Sequence, residues 1–278
     1  MIDAVRRWQF SKGHGTQNDF VVLLDRENTL DPSPDDVRWL CDRRAGIGGD
    51  GLLRVVLARH VPEWDGDPDL WFMDYRNADG SVAQMCGNGV RVFVRYLLDE
   101  GLASGPGVDV ATRAGLRPAS VLVDGRVRVG MGVVSVGAGT VRVTTADGSA
   151  FDATPVDVGN PHAVGFGTRP GALDLTRAPV WEPAAAFAEG VNLEFVEPVG
   201  ERHIAMRVFE RGVGETRSCG TGTVAAAAAA QAREGSGDGT WTVDVPGGRV
   251  EVELAGDQAF LTGPAVLVAH GEVALPNA

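Results

Sequence analysis

The sequence predicts an α+β protein of two pseudo-symmetric domains, each a curved, mostly antiparallel, barrel-like sheet around one central helix. Three observations predict it. The chain carries an internal repeat whose features recur in one order and at one spacing. Each copy holds a single strongly helical segment. The remainder reads as short strands and hairpins, and 38 glycines suit their tight turns. The expected boundaries are residues 1–130 with 264–278 for the first domain and 131–263 for the second. A small-molecule site is expected in the cleft between them, a usual place for one.

The repeat is read from spacing. Asn77 lies nine residues before Cys86, and Glu210 lies nine before Cys219. Each cysteine opens a glycine-rich cluster, Cys86-Gly87-Asn88-Gly89 and Cys219-Gly220-Thr221-Gly222. Each cluster leads into a helical segment that stops at Glu-Gly, at Glu100-Gly101 and Glu234-Gly235. Val-Asp-Val follows in both, at Val108 to Val110 and at Val243 to Val245. Asn18-Asp19-Phe20 has a looser counterpart in Asn160-Pro161-His162.

The elements follow in order. A helix is expected over 34–43, with Ser33 as its cap, Pro34 in its first position, and Val37, Leu40 and Cys41 facing inward. After Cys86, Val90, Phe93, Val94, Leu97 and Leu98 form one apolar helical face, and Gly101 sits where a glycine ends a helix. Ser120 to Val129 alternates around Asp124-Gly125, which predicts a hairpin with a type I′ turn. The helix after Cys219 is almost all alanine from Ala225 to Ala230, so it should be central and closely packed. Arg249 to Leu254 alternates as a strand after Gly247-Gly248.

Composition excludes several function classes. A net charge of -12 argues against nucleic-acid and anionic-membrane partners, which need a basic face. The opening MIDAVRRWQF lacks the apolar core of a signal peptide, and the run Val224 to Ala230 is far too short to span a bilayer. A cytoplasmic protein is the default expectation. Three cysteines, without CxxC pairs, do not form a disulfide framework. Lys12 is the sole lysine, so a pyridoxal cofactor is not expected. His14, His60, His162, His203 and His270 show no metal-ligand spacing, so no metal is expected either. The glycine-rich stretch Gly46 to Gly51 lacks the Lys-Ser/Thr of a phosphate loop and reads as a turn lining the cleft.

Cys86 and Cys219 carry the chemistry. A thiol at a helix N-terminus meets the positive end of the helix dipole and unpaired N–H groups, and both favour its thiolate. A thiol tuned toward neutrality is suited to general acid–base work. The adjoining glycines can turn N–H groups toward a carboxylate. If two such helices converge on one amino acid, one thiolate removes the α-proton and the opposite thiol delivers another, inverting the carbon. Cys41, on the apolar side of its helix, reads as a buried small hydrophobe. His162 is a candidate to hydrogen-bond a thiol, and Glu210-Arg211 a candidate binding pair because it matches Asn77 in the repeat.

At these residues the chain resembles the diaminopimelate epimerase family. The resemblance runs from Lys12 to Thr262 and rests on Asn18-Asp19-Phe20, Gly46-Ile47-Gly48, Asn77 to Ser81, Met85 to Arg91, Gly159 to His162, Gly190-Val191-Asn192, Glu210 to Thr216 and Ser218 to Gly222. It implies cofactor-independent conversion of LL-diaminopimelate to the meso form, in lysine and peptidoglycan-precursor synthesis, with a homodimer as the candidate assembly. It implies Cys86 and Cys219 as the acid and base on opposite faces, and the backbone of Gly87, Asn88, Gly220 and Thr221 around the reacting carboxylate. Glu210 would meet the reacting ammonium. Asn18, Asn77, Asn160, Asn192 and Arg211 would hold the substrate, largely at its distal centre. Two positions depart from the pattern: Gln17 stands where the family commonly has Gly, and Gly51 where some members have a ligand-contacting Gln. The rival readings are a proline- or hydroxyproline-type racemase and a thiol-redox or binding protein.

Overall fold

In the computed structural model the described residues are 6–167 and 169–276. In chain order the strands and helices are β1 (Arg7–Gly15), β2 (Asn18–Leu24), α1 (Pro34–Cys41), β3 (Gly51–Leu57), β4 (Trp71–Asn77), α2 (Gly87–Asp99), β5 (Gly107–Thr112), β6 (Gly115–Val121) and β7 (Val127–Val133). There follow β8 (Ser135–Val136), β9 (Val141–Thr144), β10 (Ala150–Asp157), β11 (Pro161–Phe166), β12 (Val180–Glu182), β13 (Asn192–Gly200), β14 (His203–Glu210) and β15 (Gly214–Thr216). The last are α3 (Gly220–Glu234), β16 (Gly239–Val245), β17 (Gly248–Ala255), β18 (Gln258–Gly263) and β19 (Val266–Ala274). The chain divides into two compact units: one reaches Val129 and resumes at Pro264, and the other is Gly130–Gly263.

The repeat is visible as topology. In the first unit the strands run β19-β1-β2-β3-β4-β5-β6-β7, with β2–β3 and β4–β5 parallel and the remaining described pairs antiparallel. In the second, β10-β11-β13-β14-β16-β17-β18 repeats that order, with β11–β13 and β14–β16 parallel. The helix comes at the matching place in each: α2 follows β4, and α3 follows β14 with only the short β15 between. The registers make equivalents explicit. Phe20 pairs with Gly51 as His162 pairs with Asn192. Phe20 therefore corresponds to His162, Leu53 to Glu194, and Asn18 to Asn160.

Each sheet curves around its helix. α2 touches β1 to β6 and β19, and α3 touches β8, β10, β11, β13, β14 and β16 to β18. Only a wrapped sheet presents so many strands to one helix. Among the described residues neither set of strands closes on itself, so the barrel-like sheet of the sequence reading is an open one. α3 is the closely packed alanine helix expected, with Val224 to Ala230 all buried. It ends at Gly235 with φ 63°, and α2 ends before Gly101 with φ 66°, the left-handed conformation that glycine adopts most readily.

The near-continuous apolar runs of β2 and β3 are buried on both faces. Leu53 faces α2, while Val21, Leu23 and Leu52 pack with Val37, Leu40 and Cys41 of α1 on the opposite side. α1 has the Ser33 cap and the Pro34 start, and it stops at Cys41, two residues short of expectation. There Asp42 turns the chain by accepting the N–H groups of Arg44 and Ala45. One turn also differs. Of Asp124-Gly125 only Gly125 has a positive φ, 82°, and its N–H reaches Leu122 O at 2.9 Å. The hairpin therefore closes with a wider turn ending in a left-handed glycine, not a type I′ turn, which needs two left-handed residues. That type of positive-φ pair occurs instead at Thr16 (51°) and Gln17 (62°), between β1 and β2.

Candidate active site

Two candidate half-sites, one in each unit, are built alike. In the first, Cys86 is the N-cap of α2, in extended conformation, and the Gly89 N–H donates to its Sγ at 3.4 Å. Gly87 and Asn88 fill the first two helical positions, where N–H groups have no partner within the helix. The Cys86 thiol donates to Asn18 Oδ1 at 3.6 Å. Asn18 stands at the start of β2, and the same Oδ1 accepts from Asn88 Nδ2 at 3.1 Å. Asn77 ends β4; its amide donates to Ser81 Oγ at 3.0 Å, inside the turn that leads toward Cys86. The first half thus gathers Cys86, Asn18 and Asn88 by hydrogen bonds, with Gly87 adjoining the thiol along the chain and Asn77 held separately.

Charged residues to which the sequence reading gave no role in the site organise this half. Asp50 accepts from Asn18 Nδ2 at 2.8 Å and is itself bound by Arg43 at 2.7 Å. Arg43 also binds Asp19, as does Lys12, whose ammonium reaches Gly48 O as well. The Gly46–Gly51 loop is therefore an anchored support for Asn18. Gly46 comes so close to Trp39 O, 1.9 Å from an added Cβ, that only glycine fits. Arg91 lies fully buried and donates to Asn88 Oδ1 at 2.9 Å and to Thr16 Oγ1 at 2.8 Å. In sequence these charges look like surface residues.

In the second half, Cys219 is the N-cap of α3, and the Gly222 N–H donates to its Sγ at 3.4 Å. Thr221 Oγ1 lies 3.6 Å from the same sulfur. Asn160 Nδ2 donates to Thr221 Oγ1 at 3.5 Å, and Asn160 Oδ1 lies 3.0 Å from His162 Nε2. Behind them His162 Nδ1 meets Glu194 Oε1 at 2.7 Å, with both side chains wholly buried. Glu194 was not foreseen; a lone acid in the otherwise apolar start of β13 is its only trace in the sequence. Asn192 binds inward, accepting the Arg211 N–H at 2.9 Å and donating to Pro161 O at 3.3 Å. The Arg211 guanidinium donates to Glu189 O at 3.3 Å, and its stem packs against Gly190, which is left-handed at φ 86°. Glu210 accepts from the Thr216 hydroxyl.

Electrostatics separate Cys219 from the simple helix-dipole expectation. Burial pushes its thiol well up, and the charges of Glu210 and Glu194 push the same way. The Thr221 hydroxyl and the Gly222 N–H pull down without prevailing. Cys219 is therefore a thiol near neutrality, not a thiolate. Burial also raises Glu194, although the facing His162 opposes it. Cys41 matches its inert reading: buried, it is pushed up to about 12. Among the described residues no cluster of three or more His, Cys, Asp or Glu could hold a metal. None of the described helices is long and apolar enough to cross a membrane.

This arrangement has close relatives. The family model described as Diaminopimelate epimerase matches residues 10–137 and 154–268. The chain is 51% identical to a Streptomyces coelicolor protein named Diaminopimelate epimerase, over 96% of this chain and 95% of the relative. It is 50% identical to a Corynebacterium glutamicum protein of the same name, over 95% and 97%. Among solved structures, a hydroxyproline epimerase from Agrobacterium vitis aligns with a TM-score of 0.68 at 19% identity, over 98% of this chain and 94% of that one. A Bacillus anthracis phenazine biosynthesis protein of the PhzF family aligns at 0.70 and 15%, over 97% and 100%. At such identities these two structures show a shared fold alone, with two pseudo-symmetric domains.

Proposed function

Because the chain belongs to the diaminopimelate epimerase family, and so to the isomerases, we propose that it converts LL-diaminopimelate to the meso form with Cys86 and Cys219 as its two acid–base groups. One thiolate takes the α-proton from one face, and the C–H electron pair stays on carbon. The other thiol gives its proton to the opposite face, and the two sulfurs exchange protonation states. The observation that carries the reading is the matched N-caps. Each thiol heads a helix, and each accepts the N–H of the third helical residue.

The scheme uses only the chain's own groups. Gly87, Asn88, Gly220 and Thr221 would place helix-start N–H groups on the reacting carboxylate, and those dipoles would stabilise charge delocalised from the α-carbon. Glu210 would take the ammonium. Asn18, Asn77, Asn160, Asn192 and Arg211 would fix the distal centre, spending remote binding energy on position. Asn192 supports this role indirectly, since its bond to the Arg211 backbone sets where that arginine starts. His162 would support the second half through Asn160. The buried, protonated state of Cys219 suits the group that donates first in the LL direction. A cytoplasmic location and a homodimer accompany this reading; cell fractionation and sedimentation would test them.

The test is proton exchange at the α-carbon in deuterated water, with LL-diaminopimelate and proline compared. Cys86→Ala and Cys219→Ala should each abolish epimerisation, and Cys41→Ala should leave it intact. Either active-thiol variant keeping more than a few per cent of the rate would sink the two-base scheme. Exchange with proline alone would move the substrate to the racemase reading.

A further inference from the structure

The first unit buries a guanidinium that the acid–base scheme does not use. Arg91 sits one turn into α2, on the helix that Cys86 caps, and none of its surface reaches solvent. One nitrogen, Nη2, serves both Thr16 and Asn88. Among the described residues its Nε and Nη1 have no hydrogen-bond partner. A buried cation without a carboxylate partner is costly. Gly15 makes the room, since a Cβ there would stand 2.9 Å from Nη2.

The bonds of Arg91 have a direction. A guanidinium only donates, so Asn88 must turn Oδ1 toward it and Nδ2 toward Asn18. At the other end the Asp50 carboxylate accepts, so Asn18 must turn Nδ2 toward Asp50 and Oδ1 toward Cys86. Both amides are thereby oriented between a buried cation and an anion. Arg91 also holds Thr16, a β-branched residue at φ 51°, in the turn that delivers Asn18. The described bonds place Arg91 on α2 and, through Asn18, Asp50 around Cys86, with Arg43, Lys12 and Asp19 beyond Asp50.

We propose that Arg91 is the positioning residue of the Cys86 half: it orients Asn88 and Asn18 around the thiol, and its buried charge eases the loss of the Cys86 proton. Burial lowers Arg91 to about 10, with the charge of Cys86 acting in the opposite direction. The equivalent position in α3 is the buried, uncharged Val224. The proposal deepens the two-base reading and rests on it.

The experiment follows alkylation of Cys86 and Cys219 by iodoacetamide across pH, by peptide mass spectrometry on the full chain, without substrate. Arg91→Met should move the Cys86 profile upward by a pH unit or more, slowing it about tenfold at neutrality, while the Cys219 profile stays. Arg91→Lys should restore the Cys86 profile but keep a raised KM, because the shorter side chain does not carry its ammonium to the place where Nη2 meets both Thr16 and Asn88. An unmoved Cys86 profile in folded Arg91→Met, or a joint shift of both cysteines, overturns the proposal. If Arg91→Met does not fold, Arg91→Lys and Thr16→Val decide: wild-type KM in both overturns it. Turnover by Cys86→Ala would sink the two-base reading instead, and the alkylation profile is read independently of turnover.

Discussion

At the scale of single residues, the two thiols differ through what lies beneath them. An added Cβ on Gly89 meets Leu53 at 3.3 Å, the end of a flexible apolar side chain. An added Cβ on the matching Gly222 meets Glu194 Oε1 at 2.6 Å. The second contact would push the carboxylate off His162, where both side chains are wholly buried. Gly222→Ala should therefore cost about 2–3 kcal/mol in urea unfolding, and Gly89→Ala clearly less. Equal losses would mean that Glu194 can move freely. Little of this asymmetry was legible in sequence, because Cys-Gly-Asn-Gly and Cys-Gly-Thr-Gly look alike. What separates them stands on β3 and β13, far along the chain, and only strand register brings it beneath the glycines.

At the scale of elements, β3 and β4 carry an ion cluster on the face away from α2. Arg54 reaches Asp74 at 2.8 Å and Asp25 at 2.9 Å, while Arg76 and Arg113 also meet Asp74 at 3.0 and 2.7 Å. Burial alone would raise the Asp74 carboxyl, but the Arg76 hydrogen bond and the charges of Arg113, Arg76 and Arg54 outweigh it, to about 2. The folded value lies below the ordinary ~3.9. Its contribution is thus present above about pH 4 and lost as pH falls through about 2. Acid titration of stability should show that loss, and Asp74→Asn should remove it while costing about 3–5 kcal/mol at neutral pH, since three guanidiniums lose their shared carboxylate. A variant as stable as the parent at pH 7 would refute this. Helix ends were far easier to read than such pairs. Ser33, Gly101 and Gly235 announce their roles by residue type, whereas an arginine in a strand looks solvated until its neighbour is known.

At the scale of the whole molecule, the duplicated topology acts as its own control. Strand order, helix placement and both N-cap thiols recur, so the repeat and the candidate thiols could be read from spacing alone. Where matched positions diverge, the divergence calls for a cause. The clearest is Phe20 and Leu53 in one unit against His162 and Glu194 in the other, all four buried. The first unit shows that this site in the fold is satisfied by two apolar side chains. A buried polar pair can often be exchanged for such a pair without loss, whereas removing one partner leaves the other uncompensated. His162→Phe with Glu194→Leu should therefore fold with a Tm equal to or above the parent's. Glu194→Leu alone should be less stable than the double variant, because His162 would keep an unanswered buried nitrogen. The double variant should nevertheless lose about a hundredfold in epimerase rate, the lower end of what a positioned polar group contributes to proton transfer. Calorimetry and proton exchange on the same samples separate the outcomes. A stable double variant with full activity would make the dyad a structural relic of divergence, and an unfolded one would mean that the two units, despite one topology, do not share the same packing rules.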